Sequence, residues 1–363
     1  MQPALTETVQ RMPPLEALAE RAPGVCLAGV TAFAISAISG RYIIRRLQQA
    51  AIAEDTTRTP IEDERLKERV RAKNGTPTMG GLIVLAGLVG GTVLGAGLTN
   101  IYAWILVGCA LGLGLVGGID DWLKVRGLGH RNSGLRPRDK LLCQSTVGAL
   151  VGLAVWWAGP TGQGMAALGA VLEAHSIWMA AAFIGWSTFV VTTMANSTNV
   201  SDGMDGLMSG LTLLAAVTLS ATMLTGLVPL DRGPLQPGAV MAGAVFCASL
   251  GGACLGFLVY NRYPARVFMG DVGSLAVGGG LGVAAIVAGA EVLLPVAGLV
   301  FLVELGSSLL QIFAFHVAGR TVLPIAPIHH MFEKKGWSEP SIVLLFYILG
   351  TVCAFATITL AGL

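Results

Sequence analysis

Residues 101–124 read IYAWILVGCALGLGLVGGIDDWLK. The stretch 101–119 carries no charge, and at about 1.5 Å per residue it is long enough as a helix to cross the roughly 30 Å hydrocarbon core of a bilayer. It stops on two adjacent carboxylates, Asp120 and Asp121, with Lys124 a turn later. The pattern recurs along the chain. Apolar segments of similar length lie at about 24–44, 79–98, 141–159, 176–195, 206–226, 238–258, 272–290, 294–317 and 340–362. The expected fold is therefore an all-α polytopic membrane protein of about ten transmembrane helices, with 24–363 as one transmembrane domain and 1–23 as an N-terminal arm.

Composition agrees. Of 363 residues, 54% are apolar and 12% charged, about half the charge of an ordinary soluble domain. The 49 glycines suit helices packed closely through small residues. A net charge of +2, from 23 basic and 21 acidic residues, supplies no basic face for nucleic acid. The six cysteines, Cys26, Cys109, Cys143, Cys247, Cys254 and Cys353, have no CxxC spacing, so neither a disulfide framework nor a zinc site is expected. The start of the chain has no basic segment followed by an apolar run, as a cleavable signal peptide would.

The basic residues orient the spans. Loops 45–78, 120–140, 196–205, 259–271 and 318–339, with Arg41, hold 20 of the 23 Lys and Arg, leaving Arg11, Arg21 and Arg232. The positive-inside rule then puts those five loops in the cytoplasm and both termini outside. Residues 54–69 read as an exposed amphipathic helix. The other inner loops hold acidic residues at span ends: Asp120 and Asp121, Asp139, Asp202 and Asp205 in NSTNVSDGMDG, and Asp271 in VFMGDVGS. Carboxylates gathered on one face suit a hard cation such as Mg²⁺, which takes oxygen ligands and arrives with substrate phosphates.

Asp202 and Asp205, three apart, would share a face at the start of a helix, with Asn196 and Asn199 just before them; such a turn suits hydrogen bonds to a sugar or a base, or simple helix capping. Adjacent Asp120 and Asp121 would diverge by about 100° on a helix, which separates their tasks. His329 and His330 follow Pro327 in IAPIHHMFE, and imidazoles suit phosphate, metal or proton transfer. Lys73, Lys124 and Lys140 supply point charges for phosphoryl oxygens. Glu304 lies inside a span, where a carboxylate is either functional or internally bonded, with Gln311 or a neighbouring helix as the candidate partner. His316 reads as structural and Glu291 as solvated at the outer boundary.

KNGTPTMGG (73–81), GGIDDWLK, RPRDKLLCQ, NSTNVSDGMDGL, YNRYPARVFMGDVGSL and APIHHMFE occur in the order and spacing of the polyprenyl-phosphate N-acetylhexosamine-1-phosphate transferases. The chain resembles that family from about residue 41 onward, and TPTMGG with APIHH favours its phospho-MurNAc-pentapeptide branch over the GlcNAc-1-phosphate branch. The resemblance implies a Mg²⁺-dependent phosphoglycosyl transferase in the bacterial inner membrane, its cleft facing the cytoplasm. Its substrates would be UDP-MurNAc-pentapeptide and the membrane lipid undecaprenyl phosphate, its products lipid I and UMP, and its assembly a homodimer.

Carried over by position, the resemblance makes Asp271 the Mg²⁺ ligand and Asp120, Asp121, His329 and His330 catalytic. Asn199, Asp202, Gly203, Met204, Asp205, Asn261 and Phe268 resemble the uridine-binding segments, the Phe268 ring offering a stacking face. Lys73, Thr78, Lys124 and Lys140 match cleft-lining positions. The family's third consecutive histidine is Met331 here. A competing class, a cation-coupled transporter, would place its carboxylates at mid-membrane on broken helices in a repeated architecture; here they gather at one side.

Overall fold

The computed structural model describes residues 15–53, 73, 75–130, 134–159, 174–227 and 237–362. These form twelve helices: α1 (Leu15–Gln49), α2 (Gly81–Ala96), α3 (Ile101–Val125), α4 (Pro137–Ala158), α5 (Ala174–Ser201), α6 (Leu207–Leu224), α7 (Pro237–Asn261), α8 (Gly270–Ala288), α9 (Leu294–Ala297), α10 (Leu299–Ala318), α11 (His329–Lys334) and α12 (Glu339–Ala361). Nine of them are long and apolar enough to cross a bilayer, and α2, at 16 residues, is a shorter apolar helix. Among the described residues there is no strand, only isolated bridges at Ala53–Pro77 and Gly129–Gly134. The polytopic all-α expectation holds. In a bilayer, helices satisfy every backbone donor and acceptor internally.

α8 is the centre of the bundle. Every residue from Val272 to Ala288 is buried, enclosed chiefly by α3, α5 and α7. α7 in turn packs on α1, α2 and α6, and α4 lies outside α5. The outward faces keep large apolar side chains exposed, among them Trp178, Phe189, Phe313 and Phe355, as a surface solvated by lipid requires.

Several boundaries differ from the sequence reading. α1 begins at Leu15 rather than near 24 and carries Pro23 inside it. α3 runs on through Asp120 and Asp121 to Val125, so these carboxylates belong to a helix and not to a loop. α5 continues through 196–201 because its polar side chains bond back along the helix: Asn196 donates to Thr192 O, Ser197 to Thr193 O, Thr198 to Met194 O and Ser201 to Ser197 O, all within 2.9 Å. Those bonds satisfy groups that would otherwise favour a turn. The expected span 294–317 is broken at Gly298 into α9 and α10. Glu291 is buried, 6% exposed, rather than solvated. The proposed amphipathic helix 54–69 lies outside the described residues.

Candidate active site

The close approach of α3 to α8 builds the first part of the site. A Cβ at Gly117 would overlap the Asp271 carbonyl oxygen, so only glycine lets the two helices meet here, and the end of α3 is thereby set against the start of α8. Asp120 and Asp121 then diverge as their positions on a helix demand. Asp121 Oδ2 accepts from Val272 N at 3.0 Å, capping one of the amides that the first turn of α8 cannot satisfy itself. Asp120 faces the other way. Its Oδ1 accepts from Leu135 N at 2.7 Å, and its Oδ2 pairs with Lys124 Nζ at 2.9 Å and Lys140 Nζ at 3.1 Å.

Asp271 completes the cluster. Its Oδ2 lies 2.7 Å from Lys124 Nζ and also pairs with Lys140 Nζ. Its Oδ1 accepts from Asn199 Nδ2 at 2.7 Å, and that amide also reaches Ser274 Oγ at 2.9 Å. Four helices, α3, α4, α5 and α8, thus place two lysines and two carboxylates in one charge-balanced group. The carboxylates are nearly enclosed while the Lys124 side chain is 42% exposed, so the cluster opens on the lysine side. Coulombic attraction in such partly dry surroundings is several-fold stronger than in water.

A second group ties together the segments expected to bind a nucleotide. Lys73 Nζ lies 2.7 Å from both Asp205 Oδ1 and Glu339 Oε1. Burial acts to lower the pKa of this ammonium, but the charges of Glu339 and Asp205 outweigh it and raise it above the usual lysine value. Glu339 Oε1 also accepts from Asp205 N at 2.6 Å, and Asp205 Oδ2 from Ala265 N at 2.9 Å. Asn261 Oδ1 accepts from Gly206 N and Ser209 Oγ, and its Nδ2 donates to Val267 O. The Phe268 main chain joins Pro77 O and Gly80 N, and Lys73 Nζ stands 5.9 Å from the centre of its ring. Thr78 is buried beside this seam.

The expected shared helix face of Asp202 and Asp205 is not formed, because α6 starts only at Leu207. Both residues lie in the turn before it, where Asp205 and Met204 are buried, Asp202 is half-buried and Gly203 is exposed. The histidines also separate. His329 is fully buried, its main-chain N and ring Nδ1 both on the Glu304 carboxylate at 3.2 and 3.0 Å. His330 Nδ1 pairs with Glu333 Oε2 at 2.9 Å, with its side chain 29% exposed. Gln311 is not the partner of Glu304; it bonds the main chain of Val322 and Leu323. His316 Nδ1 donates to Ile312 O, one turn back on its own helix, at 2.8 Å.

Glu339, just before Pro340, carries no motif in the sequence that marks it for the site. Its partner Lys73 is 266 positions away, so no local pattern could reveal it. Among the described residues no group of three or more His, Cys, Asp or Glu forms a metal cluster. Asp120 Oδ2 and Asp271 Oδ2 nevertheless converge on the same two ammonium groups, and Asn199 Oδ1 lies 3.5 Å from one of them. Two carboxylates and an amide oxygen are a donor set that fits Mg²⁺ bound jointly with phosphate.

Comparison with known proteins identifies the family. Residues 103–289 match the model of glycosyl transferase family 4, and 73–85 match the phospho-N-acetylmuramoyl-pentapeptide-transferase signature 1. A phospho-N-acetylmuramoyl-pentapeptide-transferase of Rhodopseudomonas palustris (strain BisB18) is 38% identical over 294 residues, 78% of this chain and 80% of the relative. One from Pelagibacter ubique (strain HTCC1062) is 35% identical over 308 residues, 81% of this chain and 82% of the relative. The signature begins at Lys73, and the family model spans Asp120, Asp121, Lys124, Lys140, Asn199 and Asp271.

Proposed function

The chain belongs to the phospho-N-acetylmuramoyl-pentapeptide-transferase family, within glycosyl transferase family 4, and from that premise we propose how its site works and on what. It is a multi-pass membrane enzyme that transfers phospho-MurNAc-pentapeptide from UDP-MurNAc-pentapeptide to undecaprenyl phosphate, giving lipid I and UMP in peptidoglycan synthesis. The observation that carries the mechanism is the junction of Lys124 and Lys140 with Asp120 and Asp271 at the ends of four helices. A lipid phosphate confined to the bilayer and a soluble nucleotide meet only at such a membrane surface. We place that surface on the cytoplasmic side of the bacterial inner membrane, following the distribution of basic residues.

In this reading an oxygen of the lipid phosphate attacks the β-phosphorus of the donor. The bond from that phosphorus to the bridging oxygen breaks, and UMP leaves with the bridging oxygen. Both partners are anions, so the barrier is largely electrostatic. Lys124 and Lys140 hold phosphoryl oxygens, and Asn199 keeps Asp271 oriented. Asp120 and Asp271, with the Asn199 amide oxygen, would hold Mg²⁺, which when bound supplies charge neutralisation at the diphosphate. A polyprenyl monophosphate is already largely a dianion near neutral pH and needs no strong general base. Phe268 stacks on uracil and Asp202, half-buried at the turn, contacts the nucleotide. Two copies of the chain form the working assembly.

The purified protein incubated with UDP-MurNAc-pentapeptide, undecaprenyl phosphate and Mg²⁺ is expected to release UMP, and to stop when Mg²⁺ is chelated. Release of UMP from UDP-GlcNAc alone would transfer the assignment to the GlcNAc-1-phosphate branch. No release from either donor would overturn the enzyme reading.

A further inference from the structure

His329 is fully buried, yet its ring Nε2 has no hydrogen-bond partner among the described residues. A buried polar atom left so costs about 1–3 kcal/mol unless its surroundings explain it. The surroundings here are specific. Glu304, itself 1% exposed, accepts both the main-chain N–H and the Nδ1–H of His329, which leaves Nε2 as the acceptor side of the ring. That side presses on Gly203, where a Cβ would overlap Nε2. Gly203 lies between Asp202 and Met204 in the turn that carries Asp205 to Lys73 and Glu339.

We propose that the buried Glu304–His329 pair is a positioning device, a wedge from α10 and α11 that sets the Asp202–Asp205 turn for the nucleotide donor, so that His329 acts through Gly203 rather than on the substrate. The inference deepens the transferase reading and rests on it for the identity of the donor. Glu304 is its anchor, because a carboxylate with two acceptor oxygens fixes both the start of α11 and the orientation of the ring. Gly203 is its receiving surface, because any side chain there would displace the imidazole or the turn. His330, with its ring centroid 4.2 Å from that of His329 and its Nδ1 on Glu333, retains partial exposure and is the histidine placed to meet the donor.

The test is a double-variant cycle with two readouts, the KM for UDP-MurNAc-pentapeptide and the hydrogen exchange of the main-chain amides at 202–206 in the full-length protein. Gly203→Ala is expected to raise KM about tenfold and to speed exchange, with kcat within about threefold. In a His329→Ala background the same change is expected to cost less than twofold, since the ring it collides with is gone. Glu304→Ala should copy Gly203→Ala, and Glu304→Gln, which keeps one acceptor oxygen, should recover part of the loss. Equal costs of Gly203→Ala in both backgrounds would overturn the proposal, as would a fall in kcat with KM unchanged in Glu304→Ala. The exchange readout needs no turnover, so a wild-type protein that fails to use this donor would sink the substrate assignment and leave the wedge still judged by its cycle.

Discussion

Lys73 and Glu339, 266 positions apart, meet at 2.7 Å, and this pair closes the loop ahead of α2 onto the first turn of α12. Asp205 shares the same ammonium. Lys73→Met would leave two buried carboxylates, 4% and 7% exposed, without their counter-ion. Breaking a buried pair from one side costs on the order of 3 kcal/mol. Thermal unfolding of the purified variant should show a clear drop, larger than for Glu339→Gln, which keeps Asp205 paired. An equal or smaller drop for Lys73→Met would show that the ammonium is not what holds this seam.

Asp271→Asn should lower kcat by roughly a hundredfold or more, the scale of losing one charged contact at a site of developing charge, while the melting temperature stays close to that of the wild type. The neutral amide leaves Lys124 and Lys140 with a single carboxylate partner between them and binds Mg²⁺ more weakly. A Mg²⁺ titration of UMP release checks both points. Undiminished turnover with Mg²⁺ limiting would remove Asp271 from the site.

Gly134 stands where a Cβ would overlap Asp120 Oδ1, and its φ is +91°, a conformation costly for any residue with a side chain. Gly134→Ala should therefore push Asp120 off the two lysines and reduce kcat about tenfold, with every charged side chain of the cluster still present. Steady-state kinetics on the variant decide it; an unchanged kcat would mean that the exact placing of Asp120 is unimportant.

Phe268→Ala and Asp202→Ala should act on binding. Base stacking on an aromatic ring contributes about 1–3 kcal/mol, so Phe268→Ala is expected to raise the donor KM tenfold or more with a much smaller change in kcat. The reverse split, a large fall in kcat at constant KM, would assign these residues to the chemical step.

His330→Ala should cost more than tenfold in kcat/KM, whereas Met331→His should be nearly neutral. Met331 is half-buried, and a thioether is a weak acceptor and no donor, so it does not replace an imidazole at phosphate oxygens. Lys334 ends the same short helix and Lys335 caps it, both exposed, and Lys335 Nζ lies over the Phe332 ring. If these lysines have taken over an anion contact, replacing both with Met will reduce activity sharply and Met331→His will restore part of it.

The sequence alone determined the class of fold and the family. Apolar runs of bilayer length, acidic residues at their ends and basic residues in alternate loops are local patterns, and each follows from the cost of placing charge or unpaired backbone in hydrocarbon. The same patterns marked Asp120, Asp121, Asn199 and Asp271, which the fold brings together with Lys124 and Lys140. Tertiary structure alone decided which of two neighbouring carboxylates faces the lysines and which caps α8, because that depends on the side of α3 that Gly117 presses against α8. It also decided that Glu304 belongs to His329 and Glu339 to Lys73. Pairings across 25 and 266 positions are set by packing and by the need to neutralise buried charge, and a linear pattern of residues contains neither.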